Sequence, residues 1–346
     1  MRESELKGRL TDFEKPVGED KGKDKFGGTL DKDIKCVDDN TKAFKKRKVL
    51  DKSMMKTPKD SQFFAELFRS LKKGNSSYVT YLNELVDGSK GDVYIPQYVY
   101  CFLKNRRLKE NNGVYGEVVA PRLADLLGVK TAFNTAIEKD PYEDYDDDIE
   151  YSKILSVDFV PYGYTFMDLQ ECGLDFDADS TLEMCDYWLN GTLRKVAKKN
   201  EVQFSAEDIK GVKEEFVRQY LFRSLLCEDL DFSSKNCGLL LGENGSVKMS
   251  PMFDFELVFK GQRAKSYYDM CANTTILYCK KRYPHILNEF MSKLEENSKN
   301  NKINKVLENT MEINYHIYAN AKAVISRNID TLLNTYHSLC PQEHTM

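Results

Sequence analysis

Long apolar runs, a signal-like leader and paired cysteines are all missing from this chain of 346 residues. No run approaches the roughly 18–20 apolar residues that cross a membrane, and the first residues, Met1 to Glu5, contain no apolar signal core. The nine cysteines include no C-x-x-C pair, which favours a reducing compartment over a disulfide framework. These absences predict a cytoplasmic protein without a membrane span, while export by a route that needs no N-terminal signal stays open.

Histidine and net charge are also in short supply. The four histidines are scattered near the C-terminus, and without Cys/His spacing a zinc site is not expected. A net charge of −4 gives no general reason to expect binding to nucleic acid or to a membrane surface. No G-x-x-x-x-G-K-[ST] motif occurs, which argues against a Walker-type phosphate loop.

Charged and apolar residues are unevenly spread and divide the chain into three parts. Residues 1–60 are dense in charges of both signs and poor in apolar residues, so they are predicted to form a mobile extension. Residues 61–158 are predicted to combine strands with a helix, and residues 159–340 are predicted to be mostly helical. A chain of this length can bury a sizeable core, either as one large two-lobed domain or as two ordinary ones.

One stretch, from Leu230 to Leu257, places polar side chains at the two ends of a predicted hairpin. Its two apolar runs flank a Glu-Asn-Gly turn, which is a strong hairpin signal. Asp231 and Asn236 precede the first run, and Asp254 follows the second. Because a hairpin returns to the end where it starts, the three side chains are expected to converge. Each residue type is also an ordinary turn former or helix cap, so the prediction depends on the ordered set.

Convergent carboxylate and amide oxygens suit phosphoryl transfer, which needs positioning and charge neutralisation more than covalent chemistry. Asp231 would accept or orient the proton of an attacking hydroxyl group. Asn236 and Asp254 would hold Mg²⁺, a hard cation that prefers oxygen ligands. Lys235 would offset charge on the transferred phosphoryl group.

The motif D-x-x-x-K-N from Asp231 to Asn236, the hairpin, and the F-D-F around Asp254 resemble the catalytic and metal-binding segments of HipA-like serine/threonine kinases. The resemblance implies an α+β, two-lobed kinase-like fold, with a small β-rich N-lobe (61–158) and a larger, mostly helical C-lobe (159–340). It implies Asp231 as the catalytic base, Asn236 and Asp254 as Mg²⁺ ligands, and ATP as the phosphate donor. A protein Ser or Thr would be the acceptor. The family commonly has His where this chain has Ser233.

Kinase-like folds place a phosphate-contacting lysine on the strand after a glycine turn. Here the turn contains Gly88 and Ser89, and Lys104 closes the strand-like run that follows. Arg106, Arg107 and Lys109 are nearby alternatives for the phosphate contact, and an ordinary hairpin with an exposed lysine at a strand end is the other interpretation. Related kinases can modify serine in this turn, so Ser89 is a candidate for autophosphorylation.

Two further assignments follow from the resemblance and from order along the chain. In HipA-like kinases an acidic residue on the next helix pairs with the strand lysine, and Glu117 is the candidate, in a helix predicted to open at Gly116. A glutamate that only favours the helix dipole is the alternative. Backbone groups from Asp158 to Val160, at the predicted hinge between the two lobes, would meet the adenine of ATP.

The rest of the C-terminal half is predicted to be helical. Ser205-x-x-Asp208 has the form of a capping box, and the apolar periodicity after it predicts a long helix to Leu225 that delivers the chain to Asp231. Another long helix is predicted from about Lys305 to Leu339.

Two other functions stay open beside a protein kinase. One is a kinase-like enzyme that acts on a non-protein alcohol, such as a lipid or a sugar, or that transfers AMP. The other is a pseudokinase, a binding module without turnover, which the absence of the family's His favours and the retained polar set disfavours. The sequence identifies neither a physiological substrate nor an oligomeric state.

Overall fold

The computed structural model describes residues 32–37, 48–50, 93–95, 99–105, 113–132, 134–138, 151–157, 164–242, 244–261, 263–311 and 315–341. Side chains are described for residues 115–132 and, within these ranges, from residue 164 onward. Gly88, Ser89, Asp158 and Val160 lie outside the described residues, and so does the side chain of Lys104. Their predicted roles stay predictions.

Antiparallel pairing builds three sheets from the described strands. The strands are β1 (Lys32–Val37), β2 (Lys48–Leu50), β3 (Val93–Ile95), β4 (Val99–Asn105), β5 (Asn134–Glu138), β6 (Tyr151–Val157), β7 (Tyr164–Asp168), β8 (Gly238–Gly242) and β9 (Val247–Met249). Four of them form a sheet in the order β1-β4-β6-β5, two form the pair β2-β3, and three form the sheet β7-β8-β9.

Helices make up most of the described chain after residue 180. They are α1 (Gly113–Leu127), α2 (Leu182–Lys199), α3 (Ala206–Tyr220), α4 (Lys265–Arg282), α5 (Pro284–Lys299), α6 (Lys302–Glu308) and α7 (Tyr315–Leu339). A π-helical turn, Leu221–Leu226, continues α3, and a 3₁₀ turn, Ser234–Asn236, precedes β8. Helix α1 contacts both the strands β5 and β6 and the helices α5 and α6. The mixed α+β content agrees with the predicted fold class, while the division into two lobes stays a prediction.

Two strands, β1 and β2, fall in the segment 1–60, where the sequence predicts a mobile extension and no strand. β1 lies at the edge of the four-stranded sheet and pairs with β4. There Lys104 pairs through its backbone with Lys32 on one side and with Ile154 on the other. Backbone hydrogen bonds hold an edge strand, and charged side chains are common on such strands, so a charged composition does not exclude one.

Helix α1 begins at Gly113, three residues before the start predicted at Gly116. Pro121 therefore lies in the helix interior, where its nitrogen cannot donate to the carbonyl of Glu117. Glu117 falls in the second turn, and its side chain is fully buried. The predicted helix start is wrong, because this helix holds a proline in its interior and not in its first turn.

The capping box is confirmed at the start of α3. Ser205 Oγ accepts from the backbone N–H of Asp208 at 3.0 Å, and the Asp208 carboxylate accepts from the backbone N–H of Ser205 at 3.3 Å. The predicted helix to Leu225 is present only as far as Tyr220 in α form. The next six residues, Leu221–Leu226, form the π-helical turn, which changes the direction of the side chains just before the polar segment.

The long C-terminal helix predicted from Lys305 to Leu339 is wrong in one respect, because the chain forms two helices, α6 and α7. Helix α6 ends at Glu308, with Asn309 as its C-cap. Thr310 follows, and its hydroxyl donates to the carbonyls of Val306 and Leu307 at 2.8 and 3.0 Å. Such side-chain bonds compete with helix continuation. Among the helices that the structure describes, none is both long and apolar enough to cross a membrane.

A backbone link ties the end of α1 to the exit of the β8–β9 hairpin. The N–H of Met252 donates to the carbonyl of Lys130 at 2.9 Å, and the N–H of Ala132 donates to the carbonyl of Met252 at 2.7 Å. Thr131 forms an isolated parallel bridge with Met252. Helix α1 is thereby fixed beside the residues that follow β9.

Candidate active site

The β8–β9 hairpin brings its entrance and its exit together, as the sequence predicts. Leu239 of β8 pairs with Met249 of β9, and Gly245 takes the left-handed backbone conformation of the turn, with φ 81°. The N–H of Ser250 donates to the carbonyl of Gly238 at 2.8 Å. The segments before β8 and after β9 therefore start side by side.

Asp231 and Asn236 contact each other at the hairpin entrance. The amide nitrogen of Asn236 donates to Oδ2 of Asp231 at 2.8 Å and to its backbone carbonyl at 2.9 Å. This assigns the amide nitrogen to Asp231 and leaves to the amide oxygen the role of acceptor or metal ligand. Between the two residues, Phe232 is fully buried against the rings of Phe176 and Tyr220, at centroid distances of 5.3 and 5.7 Å. The segment is anchored by an apolar side chain and carries polar ones.

The carboxylate of Asp231 holds its proton more tightly than an ordinary aspartate. Burial raises its pKa, and the negative charges of Asp229 and Asp254 raise it further, while the hydrogen bond from Asn236 opposes this. A carboxylate with a raised pKa is a stronger base once it is ionised. This property suits a group that accepts a proton from a hydroxyl.

The guanidinium of Arg223, in the π-helical turn, holds both ends of the hairpin. Its Nε donates to Oδ2 of Asp229 at 2.5 Å, and its Nη2 is paired with the same carboxylate. Nη1 donates to the carbonyls of Asn236 and Phe253 at 2.9 and 3.1 Å, and Nη2 donates to the carbonyl of Asp254 at 2.7 Å. Backbone carbonyls from the entrance and from the exit therefore converge on one side chain.

Arg223 is fully buried and nevertheless charged. Burial disfavours the guanidinium ion, but the charge of Asp229, its hydrogen bond and the charge of Asp254 act together against burial and leave the pKa of Arg223 above its usual value. The rings of Phe232 and Phe255 lie 5.3 and 5.0 Å from its central carbon. Asp229 in turn accepts from the backbone N–H of Asp231 at 3.0 Å. The Arg223–Asp229 pair thus fixes the backbone of Asp231, the predicted base.

Asp254 occupies a left-handed backbone conformation, with φ 62°, which is uncommon for a residue other than glycine. Its carboxylate lies close to those of Glu117 and Glu256, with ligand oxygens of all three within 4.8 Å of one another. Glu117 and Asp254 are buried and Glu256 is half-buried. Three carboxylates this close require positive charge or bound protons beside them, because like charges repel.

Gly116 allows helix α1 to approach this group of carboxylates. A Cβ added at Gly116 would overlap the carbonyl oxygen of Phe255 and would lie 2.7 Å from Cγ2 of Val258. The carbonyl belongs to the residue between Asp254 and Glu256, so a larger side chain must displace the helix or the segment after β9. The close approach places Glu117 beside Asp254.

Replacing Gly116 by alanine is expected to lower the free energy of unfolding, although alanine favours a helix by up to about 1 kcal/mol. Overpacking against a backbone atom typically costs about 1–3 kcal/mol and outweighs that gain. Gly191→Ala is the matched control, since Gly191 lies inside α2 and nothing approaches its added Cβ within 4 Å. Urea unfolding should show a lower midpoint for G116A and an equal or higher one for G191A. Equal shifts would contradict the close approach.

The remaining predicted residues are placed only in part. Lys235 is exposed, in the 3₁₀ turn before Asn236. Lys104 lies on β4 as predicted, but its pairing with Glu117 lies outside the described side chains. The carboxylate of Glu117 lies beside those of Asp254 and Glu256, and the pairing with a lysine that the resemblance implies stays a prediction.

The donor set at the hairpin exit fits a hard divalent cation. Carboxylate and amide oxygens are the groups that Mg²⁺ accepts in proteins, usually with one or two carboxylates and several waters. Asp254 and Asn236 supply these groups, and their backbones meet at Arg223. Glu117 and Glu256 add carboxylates near Asp254. The residues present therefore suit the predicted metal.

The structure adds three residues that the sequence did not single out. Arg223 stands inside the apolar run Leu221–Leu226, and a charge in a predicted buried face is itself a signal, since such charges are rarely buried without a partner. Asp229, its partner, lies two residues before Asp231. Glu256 lies two residues after Asp254, but nothing in a single sequence separates it from a solvated glutamate.

Comparison with known proteins gives matches only among solved structures. No protein-family model and no curated protein matches the chain. The crystal structure of CtkA, a Helicobacter pylori proinflammatory kinase, is 14% identical over 72% of this chain and 93% of that chain, with a TM-score of 0.46. HipA of Shewanella oneidensis, solved with HipB and operator DNA, is 11% identical over 69% of this chain and 58% of that chain, with a TM-score of 0.39. The structural neighbours thus include the HipA and CtkA proteins whose family the hairpin motif resembles.

Proposed function

We propose that this protein is an ATP- and Mg²⁺-dependent phosphotransferase that phosphorylates a protein serine or threonine. The observation that carries the proposal is the convergence at Arg223. One buried guanidinium binds the backbones of Asn236 and Asp254 and the carboxylate of Asp229, and Asp229 holds the N–H of Asp231. The proposed base and the two proposed metal ligands thus share the contacts of one buried side chain, which supports the positioning that phosphoryl transfer requires.

In this proposal Asp231 directs the acceptor. A substrate hydroxyl would donate a hydrogen bond to its carboxylate, and the hydroxyl oxygen would form a bond to the γ-phosphorus as the bond from that phosphorus to ADP breaks. The proton passes to Asp231, whose raised pKa favours its capture. The amide of Asn236 keeps the carboxylate oriented.

Asn236 and Asp254 would hold the metal, and Glu117 and Glu256 would surround it with further negative charge. A bound Mg²⁺ would neutralise charge on the phosphates of the nucleotide. The left-handed conformation of Asp254, held at its carbonyl by Arg223, fixes the carboxylate without relying on the ion. Lys235, exposed beside Asn236, would offset charge on the transferred group.

The nucleotide would lie between the strands and the helices, in a two-lobed arrangement. Lys104 on β4 would contact its phosphates, residues 88 and 89 would cover them, and backbone groups of Asp158 and Val160 would meet the adenine. A protein hydroxyl as acceptor, including that of Ser89 in the same chain, is carried over from the family that the hairpin motif resembles.

Transfer of label from ATP to the protein itself and to a generic protein acceptor tests the proposal. Wild-type protein would be incubated with γ-labelled or α-labelled ATP, with Mg²⁺ or with EDTA, and mapped by peptide mass. Label from the γ-position that requires Mg²⁺ supports phosphotransfer, and modified Ser89 supports autophosphorylation. Label from the α-position would replace the proposal by AMP transfer. Nucleotide binding without any label would identify a pseudokinase.

A further inference from the structure

The carbonyls at the end of the π-helical turn are capped by side chains from distant helices. Asn328 of α7 donates through Nδ2 to the carbonyl of Leu226 at 3.1 Å and to that of Leu225 at 3.2 Å. The hydroxyl of Tyr268, from α4, donates to the carbonyl of Leu225 at 2.8 Å. Since the last carbonyls of any helix need outside partners, these bonds from α7 and α4 stabilise the end of the turn.

Glu228, just after the turn, has both a left-handed backbone conformation and a fully buried carboxylate. Its φ is 46°, and its side chain is fully buried. Oε1 accepts a hydrogen bond from Nη2 of Arg327, while Oε2 has no hydrogen-bond partner among the described residues. Arg327 is itself aligned by Asn328, whose Oδ1 accepts from its Nε at 3.0 Å, and by the ring of Tyr268, 5.6 Å away. One guanidinium therefore holds Glu228 in place.

Helix α7 also contacts the segment that follows β9. Asn320 donates through Nδ2 to the carbonyl of Phe259 at 2.6 Å, and the N–H of Phe259 donates to the carbonyl of Cys227 at 2.8 Å. Gly261 lies so close that an added Cβ would be 2.7 Å from Cγ2 of Val324. The helix thus touches the chain on both sides of the candidate site, beside Glu228 and beside Phe259.

We propose that Arg327 and Asn328 are positioning residues, which fix Asp231 relative to Asp254 through Glu228 and the π-helical turn. The proposal rests on the proposed function, and it adds to that function a set of residues outside the reacting groups. Arg327 and Asn328 supply no group to the chemistry. They fix Glu228, three residues before Asp231, and Asn320 fixes Phe259 in the segment that follows Asp254.

The partial exposure of Arg327 separates this role from simple core packing. Its side chain is 35% exposed, so its removal opens little of the core. Its removal does release the buried carboxylate of Glu228 and the strained backbone beside it. A displacement of about 1 Å in a reacting group can lower a rate by about 100-fold, whereas the nucleotide site need not change.

Arg327→Met is expected to lower kcat by up to about 100-fold and to leave KM for Mg-ATP nearly unchanged. Arg327→Lys, which keeps the positive charge, should recover part of kcat. Arg194→Met is the control, because Arg194 is an exposed arginine on α2. Rates are divided by the folded fraction from urea unfolding of the same samples. An R327M kcat per folded molecule equal to that of wild type would overturn the proposal.

Hydrogen exchange provides a measurement that does not depend on activity. R327M should exchange faster than wild type in peptides that cover residues 227–236 and should match it in peptides of α2. Unchanged exchange in residues 227–236 would overturn the positioning role even if kcat falls. If wild type transfers no phosphate, the proposed function fails. Faster exchange of residues 227–236 in R327M would still show that α7 stabilises this segment.

Discussion

Arg223→Met is expected to destabilise the protein by about 3–5 kcal/mol, the cost of leaving a buried charge without its partner. The carboxylate of Asp229 loses both of its contacts to the guanidinium. Three backbone carbonyls, those of Asn236, Phe253 and Asp254, lose their donor at the same time. Urea unfolding followed by circular dichroism measures the change in the free energy of unfolding.

Two comparisons make this result specific to the buried pair. Arg194→Met removes an arginine from the exposed face of α2 and should change the free energy of unfolding by less than about 0.5 kcal/mol, as surface substitutions usually do. Asp229→Asn combined with Arg223→Met should cost less than the sum of the two single changes, since the uncompensated charge is then gone. A loss of stability in R223M no larger than in R194M would contradict the central role given to Arg223.

Asp231→Asn is expected to lower the rate of phosphate transfer by about 10²–10⁴-fold, the usual contribution of a general base. Binding of Mg-ATP should remain, because the proposed metal ligands Asn236 and Asp254 are untouched. An asparagine keeps the size of the side chain and offers an oxygen to the amide of Asn236, which now donates to Oδ2 at 2.8 Å. Transfer of labelled γ-phosphate and titration with a nucleotide measure the two properties separately.

Asp231→Asn is also expected to leave the free energy of unfolding at neutral pH unchanged or to increase it. Burial and the charges of Asp229 and Asp254 raise the pKa of Asp231 in the folded state. A raised folded-state pKa means that the folded protein binds the proton more tightly than the unfolded chain, so stability is lost as pH rises through the folded pKa. Above that pH the ionised Asp231 opposes folding, and the neutral asparagine does not. If Asp231→Asn loses phosphate transfer because it unfolds, the result would contradict the role of Asp231 as a base.

The hairpin and its polar ends were predictable because the signals are local. The Glu-Asn-Gly sequence predicts the pairing of β8 with β9, and the period of two predicts which side chains face the core. Asp231 and Asn236 come just before β8 in the chain and Asp254 comes just after β9, so the hairpin brings all three to the same side. The direct contact between Asp231 and Asn236 follows from their spacing across a tight 3₁₀ turn.

The support for these groups was not predictable, since it depends on contacts between distant parts of the chain. In the sequence, Arg223 is a single charge in an apolar run, and its contacts with the hairpin appear only in the structure. The start of α1 was placed too late because Pro121 is tolerated in its interior. Glu256 joins Glu117 and Asp254 only through the close approach at Gly116, and no sequence pattern measures that approach.

The dependence of nucleotide binding on Mg²⁺ tests the central claim most directly. Nucleotide affinity would be measured by calorimetric titration, with Mg²⁺ and with EDTA, for wild type and for Asp254→Asn. Asparagine is tolerated in the left-handed conformation that residue 254 adopts, so the variant removes a charge and keeps the backbone. Wild type should bind the nucleotide more tightly with Mg²⁺, and the variant should lose that difference. Binding that ignores Mg²⁺ in wild type, or that keeps its full Mg²⁺ dependence in Asp254→Asn, would contradict a metal-assisted phosphotransfer site at this hairpin.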